Sequence, residues 1–215
     1  MKLHTRWLNT PGERVRIALH LKGLAFEYIA HELEPTPEYR RINPQVLLPT
    51  LEIDGQYIAQ SAAILEFLEE RHPAPALLPA DPVLRAQARA FGAHVAAEMH
   101  AITAPRVRAF MSAELAVQPP GLLRWLNHWM TAGFTALEQT LANRPHPFPF
   151  CFGETPGWAD IHLVPQLTIA RRRGFDPSAF TRLLAVEARC LEIEAFQRAR
   201  GENQPDYPGP AAHKR

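Results

Sequence analysis

Polar turn formers cut the first third of the chain into short apolar runs, and the spacing of those runs predicts alternating strands and helices. Residues 3–8 read as a first strand with weak alternation. Asn9-Thr10-Pro11-Gly12 follows, a cluster of turn formers. A helix is expected from near Glu13 to Gly23, with Val15, Ala18, Leu19 and Leu21 on its apolar side. Gly23 stands where a C-terminal cap belongs. AFEYIAH (25–31) reads as a second strand, and 34–41 as a polar loop with a helical turn. After Pro49, TLEI, the turn signal Asp54-Gly55 and QYIA predict a β-hairpin. SAAILEFLEERH then reads as a helix with Ser61 in the N-cap position, stopping at His72-Pro73.

Beyond this point the pattern changes. Pro73, Pro75, Pro79 and Pro82 mark a linker. Residues 84–116, 122–142, 158–174 and 181–199 then carry a helical period with no strand signal among them. Residues 201–215 are polar and proline-rich and are expected to fray. The predicted organisation is an α+β domain over 1–73, a linker over 74–83, an all-α domain over 84–200 and a flexible tail over 201–215.

Composition narrows the function. The chain has 215 residues, 47% apolar and 21% charged, which is a globular composition. A chain of this length buries roughly 70% of its unfolded surface and needs no disulfide or metal staple. Lys plus Arg is 23 against 22 Asp plus Glu, so neither a dedicated nucleic-acid binder nor a polybasic membrane anchor is expected. The charge divides modestly. Residues 1–80 hold 8 basic and 10 acidic side chains, and residues 81–215 hold 15 and 12. The slight excess in the second part would suit an anionic substrate, but a difference this small is better read as ordinary surface scatter. Cys151 and Cys190 exclude a disulfide framework and a CxxC redox centre, and read as structural. With no signal-peptide stretch at MKLHTRWLNT and no run near the ~20 apolar residues of a membrane span, a cytoplasmic protein is expected.

The chain lacks GxGxxG, GxxxxGK[ST], GxSxG and HExxH, and no two of its ten histidines lie three or four apart. No metal is expected, and the reactive group is expected to come from a ligand. Four features of the first domain point to its site. The turn Asn9–Gly12 sets small polar side chains and open N–H groups at a positive helix end, which favours a thiolate. Leu48-Pro49 precedes a strand, where a cis bond would leave the Leu48 backbone free to pair with an extended ligand. Gln60-Ser61 lies at a second helix start and can hold a carboxylate. All of these lie at one end of the sheet. Singly each is an ordinary turn, strand start or cap; together they are specific.

These stretches resemble the cytosolic glutathione transferases over nearly the whole chain. The matching runs are RVRIALHLKGLAFEY, INPQVLLPTLEIDG, IAQSAAILEFLEERHPAPALLPADP and FGETPGWADIHLVPQL. The helix RVRIAL-LKG, the NPQ segment and LVPQL followed by ARR look most like the zeta class, which includes maleylpyruvate and maleylacetoacetate isomerases. The resemblance implies a thioredoxin-like N-terminal domain, an all-α C-terminal domain and a homodimer. It implies glutathione as cofactor, with its cysteinyl part paired to the backbone of Leu48 before Pro49, and its γ-glutamyl group held by Gln60 and Ser61. Where zeta enzymes carry a serine-rich motif, this chain has Asn9-Thr10-Pro11. Thr10, whose hydroxyl keeps the chemistry of serine, is the first choice for the residue that activates the thiol, and Asn9 the second.

The isomerase that the resemblance implies uses reversible thiolate addition to turn a cis double bond next to a carbonyl into the trans form. Its substrates are dicarboxylate-like keto acids, so cations should bind them. In EMHAITAPRVR, His100 and Arg106 fall on substrate positions of the resembling segment. Pro105 and the pair Thr103-Ala104 replace its other polar residues. Arg172 matches an arginine of the family, with Arg171 as a neighbour able to substitute. The bland readings are a core histidine, a solvated arginine face, and an Arg171–Arg173 run that complements a helix C-terminus. Asp160 reads as a structural cap beside Gly157. Two other outcomes stay open: a glutathione-dependent disulfide or peroxide reductase, and a glutathione-binding module without catalysis.

Overall fold

The computed structural model describes residues 1–32, 34 and 36–210. β1 (Lys2–Thr5) leads through α1 (Thr10–Leu21) to β2 (Glu27–Ala30), and α2 (Pro37–Ile42) precedes β3 (Thr50–Ile53), β4 (Gln56–Ala59) and α3 (Ser61–Arg71). The strands form one sheet in the order β2-β1-β3-β4. β1 is parallel to β2, as a strand–helix–strand crossover requires, and antiparallel to β3. β3 and β4 pair as the expected hairpin. Its turn residues Asp54 and Gly55 both have positive φ, 50° and 73°, the conformation that makes Asp-Gly the preferred two-residue turn. Leu3, Val15, Ala18, Leu19, Leu51, Ile64, Leu65 and Leu68 are fully buried and make the core of this part.

α1 starts at Thr10, three residues before the expected Glu13. The turn formers belong to the helix. Asn9 accepts a hydrogen bond from the Gly12 amide through its side chain at 2.7 Å, and Pro11 sits in the first turn, where its missing N–H costs nothing. α3 also differs by one position. Gln60 is the N-cap residue and Ser61 the first helical residue.

The rest of the chain is helical. α4 (Pro82–Ala93) continues as a π-helical stretch (His94–His100) and a short α5 (Ala101–Thr103). Ala104 leaves the helix with ψ 150°, because Pro105 disfavours the helical conformation in the residue before it. α6 (Pro105–Ala113), α7 (Pro119–Ala142), α8 (Trp158–Arg172), α9 (Thr181–Leu191) and α10 (Glu194–Ala199) follow, with a 3₁₀ turn at Gly201–Asn203. The single run expected over 84–116 is therefore broken at Ala104. Asp160 is the cap foreseen: its carboxylate accepts from the Gly157 and Cys151 amides at 2.8 and 2.9 Å.

By packing, the chain forms two compact units, Met1–Leu77 with the segment from Leu191 onward, and Leu78–Cys190. The sequence placed 191–200 with the all-α part and released 201–215 as a tail. Long-range contacts give a different division. The buried Arg16 guanidinium donates to the carbonyl of Ala199 at 2.9 Å and to Thr5 Oγ1 and the Arg6 carbonyl at 3.2 Å. The Asp206 carboxylate accepts from the Trp7 amide at 2.9 Å and the Tyr28 hydroxyl at 2.7 Å. At Gly201 a Cβ would lie 2.6 Å from the Trp7 carbonyl oxygen, so only glycine allows this approach. Residues 211–215 of the expected tail lie outside the described residues. Lys22 anchors the other end of the first unit. Its buried ammonium donates to Glu69 at 2.7 Å and to the carbonyls of His72 and Pro75 at 2.6 and 2.9 Å, which uses all three donors.

Candidate active site

The site expected from the sequence lies on the first unit. β1 ends at Thr5, and the chain enters α1 through Asn9. Gly12 lets these side chains close in: a Cβ there would lie 2.2 Å from Thr5 Oγ1 and 2.3 Å from Asn9 Oδ1, so both would have to shift. The two candidate thiol donors are not equivalent. Asn9 spends its oxygen on the Gly12 amide and directs Nδ2 to the Leu48 carbonyl at 3.4 Å. Thr10 is 8% exposed, and its hydroxyl makes no hydrogen bond among the described residues. At the first position of α1 it stands at the positive end of the helix dipole, where Pro11 has no N–H and the Gly12 and Glu13 amides are bonded to Asn9, so its own amide is the one left over. One turn along the helix, Arg14 is buried with Nε and Nη2 unpartnered among the described residues. Burial lowers its pKa to about 10 against the opposing pull of Glu13. The guanidinium adds positive charge to this helix.

Leu48-Pro49 is cis, as the extended-ligand reading needs. The loop is fixed from behind: the Tyr39 hydroxyl and Asn43 Nδ2 both donate to the Leu47 carbonyl, at 2.7 and 2.8 Å. The Leu48 amide donates to no acceptor among the described residues, so one donor of an extended backbone edge stays open. Asn9 and Leu48 meet through the 3.4 Å contact, which brings the helix start and the loop together.

Gln60 has φ 70°, a left-handed conformation uncommon outside glycine and worth about 1–3 kcal/mol of strain. It caps α3 without a side-chain hydrogen bond to the helix, so the first N–H groups, those of Ser61, Ala62 and Ala63, remain open to an anion. The Gln60 side chain is exposed and donates to Gln45 Oε1 at 2.7 Å. Sequence reasoning gave Gln45 no role of its own. The NPQ segment carried it, but nothing local marks a partner fifteen residues away.

The second unit holds the substrate candidates. His100 ends the π-helical stretch, Arg106 is exposed in the first turn of α6, and Arg172 is the last residue of α8. Arg171 is held by Glu187, with Nη1 to Oε1 at 2.6 Å, which makes it a structural cation. Neither cysteine is a nucleophile. Burial and the nearby Asp160 push the Cys151 thiol well up, and burial does the same to Cys190. Among the described residues no group of three His, Cys, Asp or Glu is placed to hold a metal, and no helix is long and apolar enough to cross a membrane.

A four-stranded mixed sheet in this order with its helices, followed by an all-helical part, is a thioredoxin-like domain joined to a helical one. Residues 12–71 match the glutathione S-transferase N-terminal domain. The chain is 40% identical over 96% of its length to a maleylpyruvate isomerase of Ralstonia, covering 99% of that protein. It is 38% identical over 97% of its length to a maleylacetoacetate isomerase of Pseudomonas aeruginosa, again covering 99%. A solved zeta-class bacterial glutathione S-transferase, a maleylpyruvate isomerase, superposes with a TM-score of 0.92 at 40% identity, covering 96% of this chain and 99% of that one. A maleylacetoacetate isomerase of Methylobacterium extorquens, solved with malonate and glutathione bound, superposes with a TM-score of 0.92 at 33% identity, covering 97% and 100%. This chain belongs to the glutathione S-transferase family, in its zeta-like branch of maleylpyruvate and maleylacetoacetate isomerases.

Proposed function

We propose that this protein is a glutathione-dependent cis–trans isomerase of maleylpyruvate or maleylacetoacetate. The observation that carries the reading is the arrangement at the start of α1: an uncommitted Thr10 hydroxyl, joined through Asn9 to the open Leu48 edge, in a chain with no reactive thiol of its own. Glutathione fits these residues, and when bound it supplies the nucleophilic sulfur. The Thr10 hydroxyl donates to that sulfur and, with the positive end of α1, holds it anionic near neutral pH. Asn9 keeps the helix start in place and supports Leu48. The Leu48 amide, with Pro49 fixing the loop, pairs with the cysteinyl carbonyl. Ser61 and the open start of α3 take the γ-glutamyl carboxylate, and Gln60, with Gln45, covers it. His100, Arg106 and Arg172 serve the carboxylates of the substrate.

The test is direct: maleylpyruvate and maleylacetoacetate are incubated with protein and glutathione, and the products are identified by NMR. Trans products from either substrate support the reading, and no turnover of both defeats it. The same proposal includes a homodimer in the cytoplasm, where Cys151 and Cys190 stay reduced. Light scattering that gives the monomer mass, 24.2 kDa, contradicts the dimer.

A further inference from the structure

We infer that Asp206 is a positioning residue for thiol activation: bonded to the Trp7 amide, it fixes the loop over residues 6–8 from which Asn9 and Thr10 enter α1. The inference rests on the reading of Thr10 as the donor to the sulfur. Residues 6–8 lie between the end of β1 and the N-cap of α1, outside regular structure. Such a loop places a hydroxyl accurately only if its backbone is tied down from outside.

The ties come from segments distant in the chain. Arg16, on α1, donates through Nη1 to the Arg6 carbonyl at 3.2 Å and through Nη2 to the Trp7 carbonyl at 3.5 Å. Asp206 Oδ2 accepts from the Trp7 amide at 2.9 Å, and Oδ1 accepts from the Tyr28 hydroxyl of β2 at 2.7 Å. The Tyr207 ring meets the Trp7 ring edge-on, with centroids 5.2 Å apart. Gly201 closes on the Trp7 carbonyl, where a Cβ would lie 2.6 Å from the oxygen. The segment that carries Asp206 is itself fixed. Gln204 Nε2 donates to the carbonyls of Arg198 and Arg200 at 2.7 and 2.8 Å, and Asn203 Nδ2 to that of Gln197 at 2.7 Å, which closes the end of α10. Arg16 Nε ties the same end to α1 through the Ala199 carbonyl at 2.9 Å. A clasp of this segment on β2 would be complete with Tyr28 alone. The second carboxylate oxygen goes instead to an amide just upstream of Asn9 and Thr10. The charge of Asp206 opposes an anionic sulfur, so its contribution is the bond and not the charge.

The experiment follows the thiol pKa of glutathione bound to the full-length protein, by thiolate absorbance, in the wild type, Asp206→Ala, Asp206→Asn, Tyr28→Phe and Gly201→Ala. Asparagine keeps an oxygen for the Trp7 amide and an N–H for the Tyr28 oxygen, but lacks the charge. Asp206→Ala is expected to raise the thiol pKa by about half a pH unit or more, through partial loss of the hydroxyl–sulfur bond. Asp206→Asn is expected to stay near the wild type. Tyr28→Phe removes the other bond to the same carboxylate and should lower the melting temperature with the thiol pKa unmoved. Gly201→Ala changes no charge and displaces the Trp7 carbonyl, so it should raise the thiol pKa as Asp206→Ala does, and it carries the test if Asp206→Ala does not fold. An unmoved or lowered thiol pKa in Asp206→Ala or Gly201→Ala overturns the inference, as does an equal rise in Asp206→Asn or in Tyr28→Phe. A wild type that binds glutathione at an ordinary thiol pKa defeats the Thr10 reading, and the inference with it. A lowered thiol pKa in a wild type that does not isomerise maleylpyruvate removes the substrate assignment and leaves the inference standing.

Discussion

Replacing Thr10 by valine isolates the hydroxyl that the site depends on. Valine keeps the shape of threonine, so the 8% exposed position stays filled. An ordinary thiol titrates near about 8.5. The start of α1 favours the anion by about 0.3–1 kcal/mol, and a hydroxyl bonded to a charged sulfur adds about 1.5–3 kcal/mol. At about 1.4 kcal/mol per pH unit, the two bring a bound thiol to roughly 6–7, with the hydroxyl responsible for most of the shift. Thr10→Val returns it to roughly 8, so the anionic fraction at neutral pH drops from about half or more to about a tenth. The expected result is a fall in kcat/KM of about five- to tenfold at neutral pH, with little loss once the pH exceeds the new value. The acidic limb of the pH–rate profile should move up by a unit or more, and Thr10→Ser should leave it in place. The assay is kcat/KM for maleylpyruvate across the pH range, with the absorbance of the bound thiolate as a second readout. An unmoved limb, or an equal loss at high pH, refutes the role of Thr10. Movement of the limb in Asn9→Ala alone would transfer that role to Asn9.

Other consequences concern stability. Burial, helped by Arg198 and Arg16, lowers the pKa of His20 from the usual 6.5 to about 4. The unfolded chain therefore takes up this proton first. The contribution is fully present above about 6.5 and is lost as the pH falls toward 4, by roughly 2 kcal/mol after allowing for partial exposure. Urea unfolding of His20→Gln should show a flatter dependence over that window. Lys22→Met leaves the Glu69 carboxylate buried without its ammonium and should cost about 3–5 kcal/mol by denaturant unfolding. Asp206→Ala removes the acceptor of the Trp7 amide and the Tyr28 hydroxyl and should cost about 2 kcal/mol. Gly12→Ala should abolish glutathione binding by calorimetry, because the new Cβ displaces Asn9.

What could be read from the sequence was local. The hairpin was plain because Asp54-Gly55 encodes its own turn, and α3 because its apolar spacing repeats every three to four residues. The start of α1 was misplaced because threonine, proline and glycine signal a turn and a helix start alike, and only the bond from Gly12 to Asn9 separates the two. The ordered segment through Asp206 was hidden because its partners, Trp7 and Tyr28, lie 199 and 178 residues away. Asn9, Thr10, Leu48, Gln60 and Ser61 could be proposed because helix starts and a proline loop have signatures. Which arginine of Arg171–Arg173 turns toward Glu187 and which toward Thr103 depends on helix phase and on the break at Ala104, and three identical residues in a row conceal both.

The central claim is that the reactive sulfur belongs to glutathione held by this chain. The measurement that tests it most directly is maleylpyruvate isomerisation followed by absorbance with glutathione, without it, and with S-methylglutathione, which keeps every backbone contact but has no free thiol. Turnover with glutathione alone is the predicted result. Turnover without glutathione, or equal turnover with the methylated peptide, would contradict the account.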